Sequence, residues 1–232
     1  MLHIMSNSPI ILALDSPDVA SALSMMDQTK EYVGVYKLGL EFYLSRGLSG
    51  VAQIQAAHPD VKLFLDLKLH DIPNTVKGAC ESVSSLNPYF LTVHASGGAE
   101  MIRSAAQAVP QTRITAVTVL TSIDVNELKA MGLPDDPSGL AVTLAMNAVE
   151  NGARAIVCSP LEVTAIKAVL GERAVLITPG VRMASSSTDD QKRVMTPVQA
   201  IAAGSDYLVI GRPITGAADP HLAAAEIFAS IK

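Results

Sequence analysis

Three residues in the run FLDLKLHDIPNTV (64–76) have the types and spacing to do chemistry: Asp66, Lys68 and Asp71. Leu63, Leu65, Leu67 and Leu69 alternate with Phe64, Asp66, Lys68 and His70. A β-strand turns alternate side chains to opposite faces, so one face here is leucine and the other carries a carboxylate beside an ammonium. An ammonium between carboxylates is held in its charged form and offers three donors. As a purely structural pair it would stabilise little, because desolvating each ion costs several kcal/mol. Leucine or valine would serve an interior structural position at least as well, so the charges point to function.

Further polar residues fall where other apolar runs end. Asp15 closes the first run, and Lys37 lies in phase with Val35 and Gly39 in the second. His94 and Ser96 close the fourth run, Thr121 and Ser122 the fifth. Thr178-Pro179-Gly180-Val181-Arg182 ends the seventh, and Gly211-Arg212 ends the eighth. A glycine backbone and a guanidinium suit a phosphate dianion. The polar, serine-rich segment 182–195 has the length and place of a lid over such a site. His94 reads equally well as a satisfied interior histidine, and Glu41 as a solvated charge. There is no His/Cys cluster, and the carboxylates interleave with lysines that compete for them, so no metal site is expected. No Ser-His-Asp arrangement is legible. The chemistry implied is that of an ammonium among carboxylates, acting on a phosphorylated small molecule.

Placing these side chains together requires a scaffold that gathers strand ends. Strands are expected at 9–15, 35–41, 62–69, 89–96, 113–122, 153–160, 174–181 and 206–213. Helix-like stretches lie between them. Ser16-Pro17-Asp18 and Asn74-Thr75 precede two of these, Gly97-Gly98 a third, and Thr196-Pro197 a fourth. Pro160 opens another, with Gly171 as its stop, and 219–232 is the last. Strands alternating with helices argue for a parallel sheet. The count and length fit one α/β domain over 1–232, a closed (β/α)8 (TIM) barrel whose active site lies at the C-terminal strand ends. An open doubly wound sheet would need a glycine-rich first turn to hold a dinucleotide, and LDSPDVA has no glycine.

The composition narrows the class further. The chain is 49% hydrophobic, 17% charged and 4% aromatic, with a formal net charge of −5 and no basic cluster, which argues against nucleic-acid binding. Cys80 and Cys158 are too few and too far apart for a disulfide framework, and read as small buried hydrophobes in a reducing cytoplasm. The N-terminal run stops at Asp15 and lacks a basic leader, so neither a signal peptide nor a membrane span is expected. Residues 1–8 read as a loose tail.

The run DLKLHDIPNT resembles the signature of the orotidine 5′-monophosphate decarboxylase family, Asp-x-Lys-x-x-Asp-Ile-Pro-Asn-Thr. ALD, YKLGLE, TVHASGG, VLTS, TPGVR and GRPI support it in order along nearly the whole chain. The length resembles the free-standing enzyme rather than one fused to a phosphoribosyltransferase. The resemblance implies a (β/α)8 barrel that works as a homodimer without cofactor or metal. It implies conversion of orotidine 5′-monophosphate to uridine 5′-monophosphate and carbon dioxide, the last step of de novo pyrimidine nucleotide synthesis. Lys37, Asp66, Lys68 and Asp71 become an alternating charged array, with Lys68 the proton donor to C6. Asp71 and Thr75 would reach the neighbouring subunit's site. Asp15 and Lys37 would hold the ribose hydroxyls, and Ser122, beside Thr121, the pyrimidine. Gln191, Arg212 and the Gly211 backbone would hold the phosphate, next to Pro179 and Arg182. Many members have Gly-Asp-Gln in the phosphate loop; here Thr188-Asp189-Asp190-Gln191 stands instead, and KRVMTP keeps the pattern.

Two other readings compete. The 3-keto-gulonate-phosphate decarboxylases and hexulose-phosphate synthases also carry Asp-x-Lys-x-x-Asp, with magnesium and an enediolate. They need a carboxylate on the second strand, where this chain has Lys37. A catalytically silent nucleotide-binding protein would be expected to lack a member of the array, and none is missing.

Overall fold

The computed structural model describes residues 7–181 and 195–232. Eight parallel strands close in sequence order into a barrel: β1 (Ile10–Leu14), β2 (Val35–Leu38), β3 (Leu63–Leu69), β4 (Phe90–His94), β5 (Arg113–Val117), β6 (Ala155–Val157), β7 (Val175–Thr178) and β8 (Tyr207–Ile210). β8 returns to pair with β1. The crossovers are α1 (Val19–Thr29), α2 (Leu40–Ala57), α3 (Pro73–Val83), α4 (Gly98–Ala108), α5 (Val125–Ala130), α6 (Pro137–Glu150), α7 (Val163–Leu170) and α8 (Pro197–Ala202). A single turn, α9 (Arg212–Thr215), and α10 (Pro220–Ser230) close the chain. No helix among the described residues is long and apolar enough to cross a membrane.

Period two along each strand separates two cores. Leu12, Leu38, Leu63, Leu65, Leu67 and Leu91 face outward and pack under the helices. Ile11, Val35, Phe64, Phe90, Ala155 and Ile177 face inward and fill the barrel. Two residues further along the same inward rows come Ala13, Lys37, Asp66 and Thr92. The apolar plug therefore forms a floor, and the polar array sits directly above it.

Several boundaries differ from those read in the sequence. β5 stops at Val117, not 122: its neighbours β4 and β6 end at His94 and Val157, the residues that pair with Val117 on either side. β4 passes at Ala95–Gly97 into a 3₁₀ turn. Asp18, not Ser16, caps α1 by accepting the Ser21 N–H. α3 begins at Pro73, so Asn74 and Thr75 belong to its first turn. Thr196 caps α8 in a reciprocal capping box with Gln199, and α7 stops at Gly171 with φ 57°, both as read. α5 and α6 were legible but unclaimed: Asp124 and Glu127 form a capping box, and Asp136-Pro137 is a cap followed by an N1 proline. Ser8, included in the expected tail, is instead buried: it donates to the Tyr32 carbonyl and accepts the Ile10 N–H, while residues 1–6 lie outside the described residues. Of the expected lid, residues 182–194 lie outside the described residues. The residues on either side of it, Val181 and Met195, form a bridge.

Candidate active site

A cavity of about 310 Å³ opens at the C-terminal ends of the strands. Asp15, Lys37, Asp66 and Lys68 line one wall, and Pro179, Gly211 and Arg212 another. Val117, Val119, Leu120, Thr121 and Cys158 lie between them, with Phe64 at the base. Of the expected site residues, eight therefore meet in one cavity. Ser122 is exposed and does not line it. Asp71, just past β3, and Thr75, in the first turn of α3, are exposed and do not line it either. Arg182 and Gln191 lie outside the described residues.

The polar wall is a chain of alternating charge. Lys37 Nζ lies 3.5 Å from Asp15 Oδ1 and 3.3 Å from Asp66 Oδ2. Lys68 Nζ donates to Asp66 Oδ1 at 2.8 Å. Asp66 is 12% exposed and Lys37 11%, against 30% for Lys68 and 60% for Asp15, so the array rises from a buried centre to an open rim. Burial by itself would push the Asp66 carboxyl up. The Lys37 and Lys68 charges, with hydrogen bonds from Lys68 and Thr92, outweigh it and hold the group below its ordinary 3.8. Gly39, just past β2, leaves the space these ends occupy: a Cβ there would lie 3.2 Å from Lys37 Nζ and 3.3 Å from Asp15 Oδ1.

Lys68 does not sit on a regular strand. The pairs Leu65–Leu91 and Leu69–Val93 are four residues apart on β3 but two apart on β4, which places a bulge at 66–68. Lys68 takes φ 48°, a left-handed conformation that costs a non-glycine residue roughly 1–3 kcal/mol and clusters at functional sites. Its backbone N–H is taken by Thr92 Oγ1 at 2.8 Å, and Thr92 Oγ1 donates to Asp66 Oδ1 at 3.1 Å. Sequence reading missed Thr92. Its signal was present, since it lies two residues beyond Phe90 on the inward row.

His94, at the end of β4, is partly buried with its ring 5.3 Å from that of His70. Burial, then the nearby His70 and Lys68, push its imidazole below the ordinary 6.5, against the pull of Asp66. Glu41 is exposed in the first turn of α2, as expected of a solvated charge. Cys80 and Cys158 are both buried and not joined in a disulfide, and burial pushes the Cys80 thiol up to about 11. Among the described residues no three His, Cys, Asp or Glu side chains are grouped to hold a metal.

The depressed Asp66 fixes a sign for stability. A carboxyl lowered on folding contributes stability that is complete above its unfolded value and lost as pH falls through the folded one. In urea titrations the native protein is expected to lose stability more steeply than Asp66→Asn as pH drops below 3.8. Parallel curves for the two would show that Asp66 does not carry this linkage.

Comparison with known proteins agrees with the geometry. Residues 8–227 match the family described as orotidine 5′-phosphate decarboxylase / HUMPS. The orotidine 5′-phosphate decarboxylase of Thermobifida fusca is 52% identical over 97% of this chain and 96% of its own. That of Anaeromyxobacter dehalogenans is 47% identical over 96% and 97%. The crystal structure of orotidine 5′-phosphate decarboxylase from Lactobacillus acidophilus superposes with a TM-score of 0.84 at 33% identity, covering 97% of this chain and 99% of that one. On its barrel, its charged array and this similarity over nearly its whole length, the chain belongs to the orotidine 5′-phosphate decarboxylase / HUMPS family.

Proposed function

We propose that the chain is a carboxy-lyase that converts orotidine 5′-monophosphate to uridine 5′-monophosphate and carbon dioxide, closing pyrimidine nucleotide synthesis in a reducing cytoplasm. The observation that carries this reading is the Asp15–Lys37–Asp66–Lys68 chain at the cavity wall. The C6–carboxylate bond breaks, its electron pair stays at C6, and a proton from Lys68 Nζ replaces carbon dioxide. The pair occupies an in-plane orbital that the ring delocalises poorly, so a fixed positive charge beside C6 is the main stabiliser available. Asp66 orients that ammonium and faces the substrate carboxylate with like charge. Lys37 and Asp15 hold the ribose hydroxyls at the more open end. Thr121 meets the pyrimidine, and Ser122, exposed beside it, joins only by turning inward; Gly211 and Arg212, with Pro179 beside them and Arg182 and Gln191 from the loop after the seventh strand, meet the phosphate. Phosphate sites in such barrels lie in the loops after the seventh and eighth strands. Enzymes remove roughly 8–23 kcal/mol of barrier, more than one lysine supplies. Binding energy from the remote phosphate, used to assemble the site, is the added source.

The family also includes enzymes of the hexulose-phosphate kind, which the sequence reading associates with magnesium. Lys37 favours the nucleotide reading. Its ammonium sits 3.3 Å from Asp66 Oδ2, where a cation bound to that carboxylate would meet direct repulsion. The reading invokes no metal or cofactor. A homodimer completes it: Asp71 and Thr75 are exposed around Ile72, which is 68% exposed, and an apolar residue set between two polar ones at the cavity side is suited to cover by a second copy.

Turnover is read from the loss of ultraviolet absorbance of orotidine 5′-monophosphate in EDTA. The protein is expected to consume it at full rate, and turnover that requires added magnesium would sink the proposal. Lys68→Ala should lose at least about a thousandfold in kcat while still binding uridine 5′-monophosphate; near-normal kcat would refute the proton-donor role. Mixing inactive Asp71→Ala with inactive Lys68→Ala should restore activity, because some sites in the mixed dimers combine intact residues from both chains. Verified mixed dimers with no recovered activity would refute a shared site.

A further inference from the structure

Thr92 is wholly buried on β4 and carries a hydroxyl in the most constrained part of the site. Its Oγ1 accepts the Lys68 backbone N–H at 2.8 Å and donates to Asp66 Oδ1 at 3.1 Å. The same Oδ1 accepts Lys68 Nζ at 2.8 Å. The three contacts close a ring: from the Lys68 backbone to Thr92, to the Asp66 carboxylate, and back through the Lys68 ammonium. The ring spans the bulge, where the β3–β4 ladder is interrupted and Lys68 takes φ 48°. A hydroxyl suits the place because its one oxygen both donates and accepts. The β-branch of threonine stiffens χ1 and holds that hydroxyl in one direction.

We infer that Thr92 is a positioning residue for the decarboxylation, its hydroxyl locking the left-handed Lys68 backbone to the Asp66 carboxylate so that the Lys68 ammonium is held toward the cavity. The inference rests on the reading of Lys68 as proton donor. Asp66 is faced by Lys37 from β2, by Lys68 on its own strand, and by Thr92 and His94 from β4; Asp15, beyond β1, acts on it through Lys37. Thr92 contacts both the Lys68 backbone and the Asp66 carboxylate. Removing its hydroxyl therefore loosens the Lys68 ammonium without removing any charge.

The test compares Thr92→Val, of the same shape without the hydroxyl, with Thr92→Ser, which restores it. Thr92→Val is expected to lower kcat for orotidine 5′-monophosphate by about 10- to 100-fold. KM and the affinity for uridine 5′-monophosphate should shift by less than about threefold, since binding groups are untouched. In protein labelled with 13C at aspartate Cγ, the Asp66 titration midpoint should rise in Thr92→Val and return in Thr92→Ser, with kcat following it. Should Thr92→Val fail to fold, Thr92→Ala carries the same expectations. An unchanged kcat, or a loss matched by the unfolded fraction alone, would overturn the inference, and so would an unmoved Asp66 midpoint. If the native protein does not decarboxylate the nucleotide, the parent reading fails instead. The Asp66 titration then still decides whether the hydroxyl holds the pair.

Discussion

One carboxylate, Asp66, is shared by two ammonium groups, and the mouth of the barrel is arranged around that sharing. Each oxygen has its own cation, Lys68 on Oδ1 and Lys37 on Oδ2. A lone ion at this depth would neutralise rather than stay charged. With two cations and a hydroxyl around it, Asp66 instead stays ionised below the ordinary carboxylate range. The same contacts fix both lysines, because a carboxylate with two bound partners leaves neither free to swing. Pre-organisation of this kind is what a site needs when charge develops on substrate and no reorganisation can be spared.

The barrel supplies the geometry that makes the sharing possible. β2 and β3 are adjacent and parallel, and Lys37 pairs in register with Phe64, one step from Asp66. An ammonium and a carboxylate on neighbouring inward rows must then meet. Beneath them the plug of Phe64, Phe90, Ile11, Val35 and Ile177 closes the barrel floor. Phe64 and Phe90 pack edge to face at 5.5 Å, and Tyr207 closes on Phe90 at 5.7 Å. A packed floor confines the polar groups to the mouth and keeps water from reaching them from below.

Much of this was legible because inward-facing residues repeat every second position. That Lys37 is in phase with Val35 and Gly39, and Asp66 and Lys68 with Phe64, reads straight from the sequence; that Val35 and Phe64 form the barrel floor beneath the charges is seen in the structure. The strand count and order followed from the alternation of short apolar runs with helical stretches. The bulge was not legible. LDLKL alternates so regularly that nothing in it marks a break, and Lys68 is not a residue that chooses φ 48° by itself. That conformation is imposed by β4, whose register and hydroxyl come from residues more than twenty positions away. Strand ends failed for a related reason, since β5 stops where its neighbour does and not where its own apolar residues run out.

The exposure of Asp71 follows from the same local constraint. Leaving β3 at Leu69, the chain has only His70, Asp71 and Ile72 before Pro73 fixes the first turn of α3. Asp71 spends one carboxylate oxygen on the Ile72 N–H just before that turn, which holds its side chain at the edge of the barrel rather than over its own cavity. Asp66, Lys68 and Asp71 therefore belong to one short motif but not to one surface: two point into the mouth and the third points past it. A signature that reads as a single cluster in sequence is divided by a bulge and a proline.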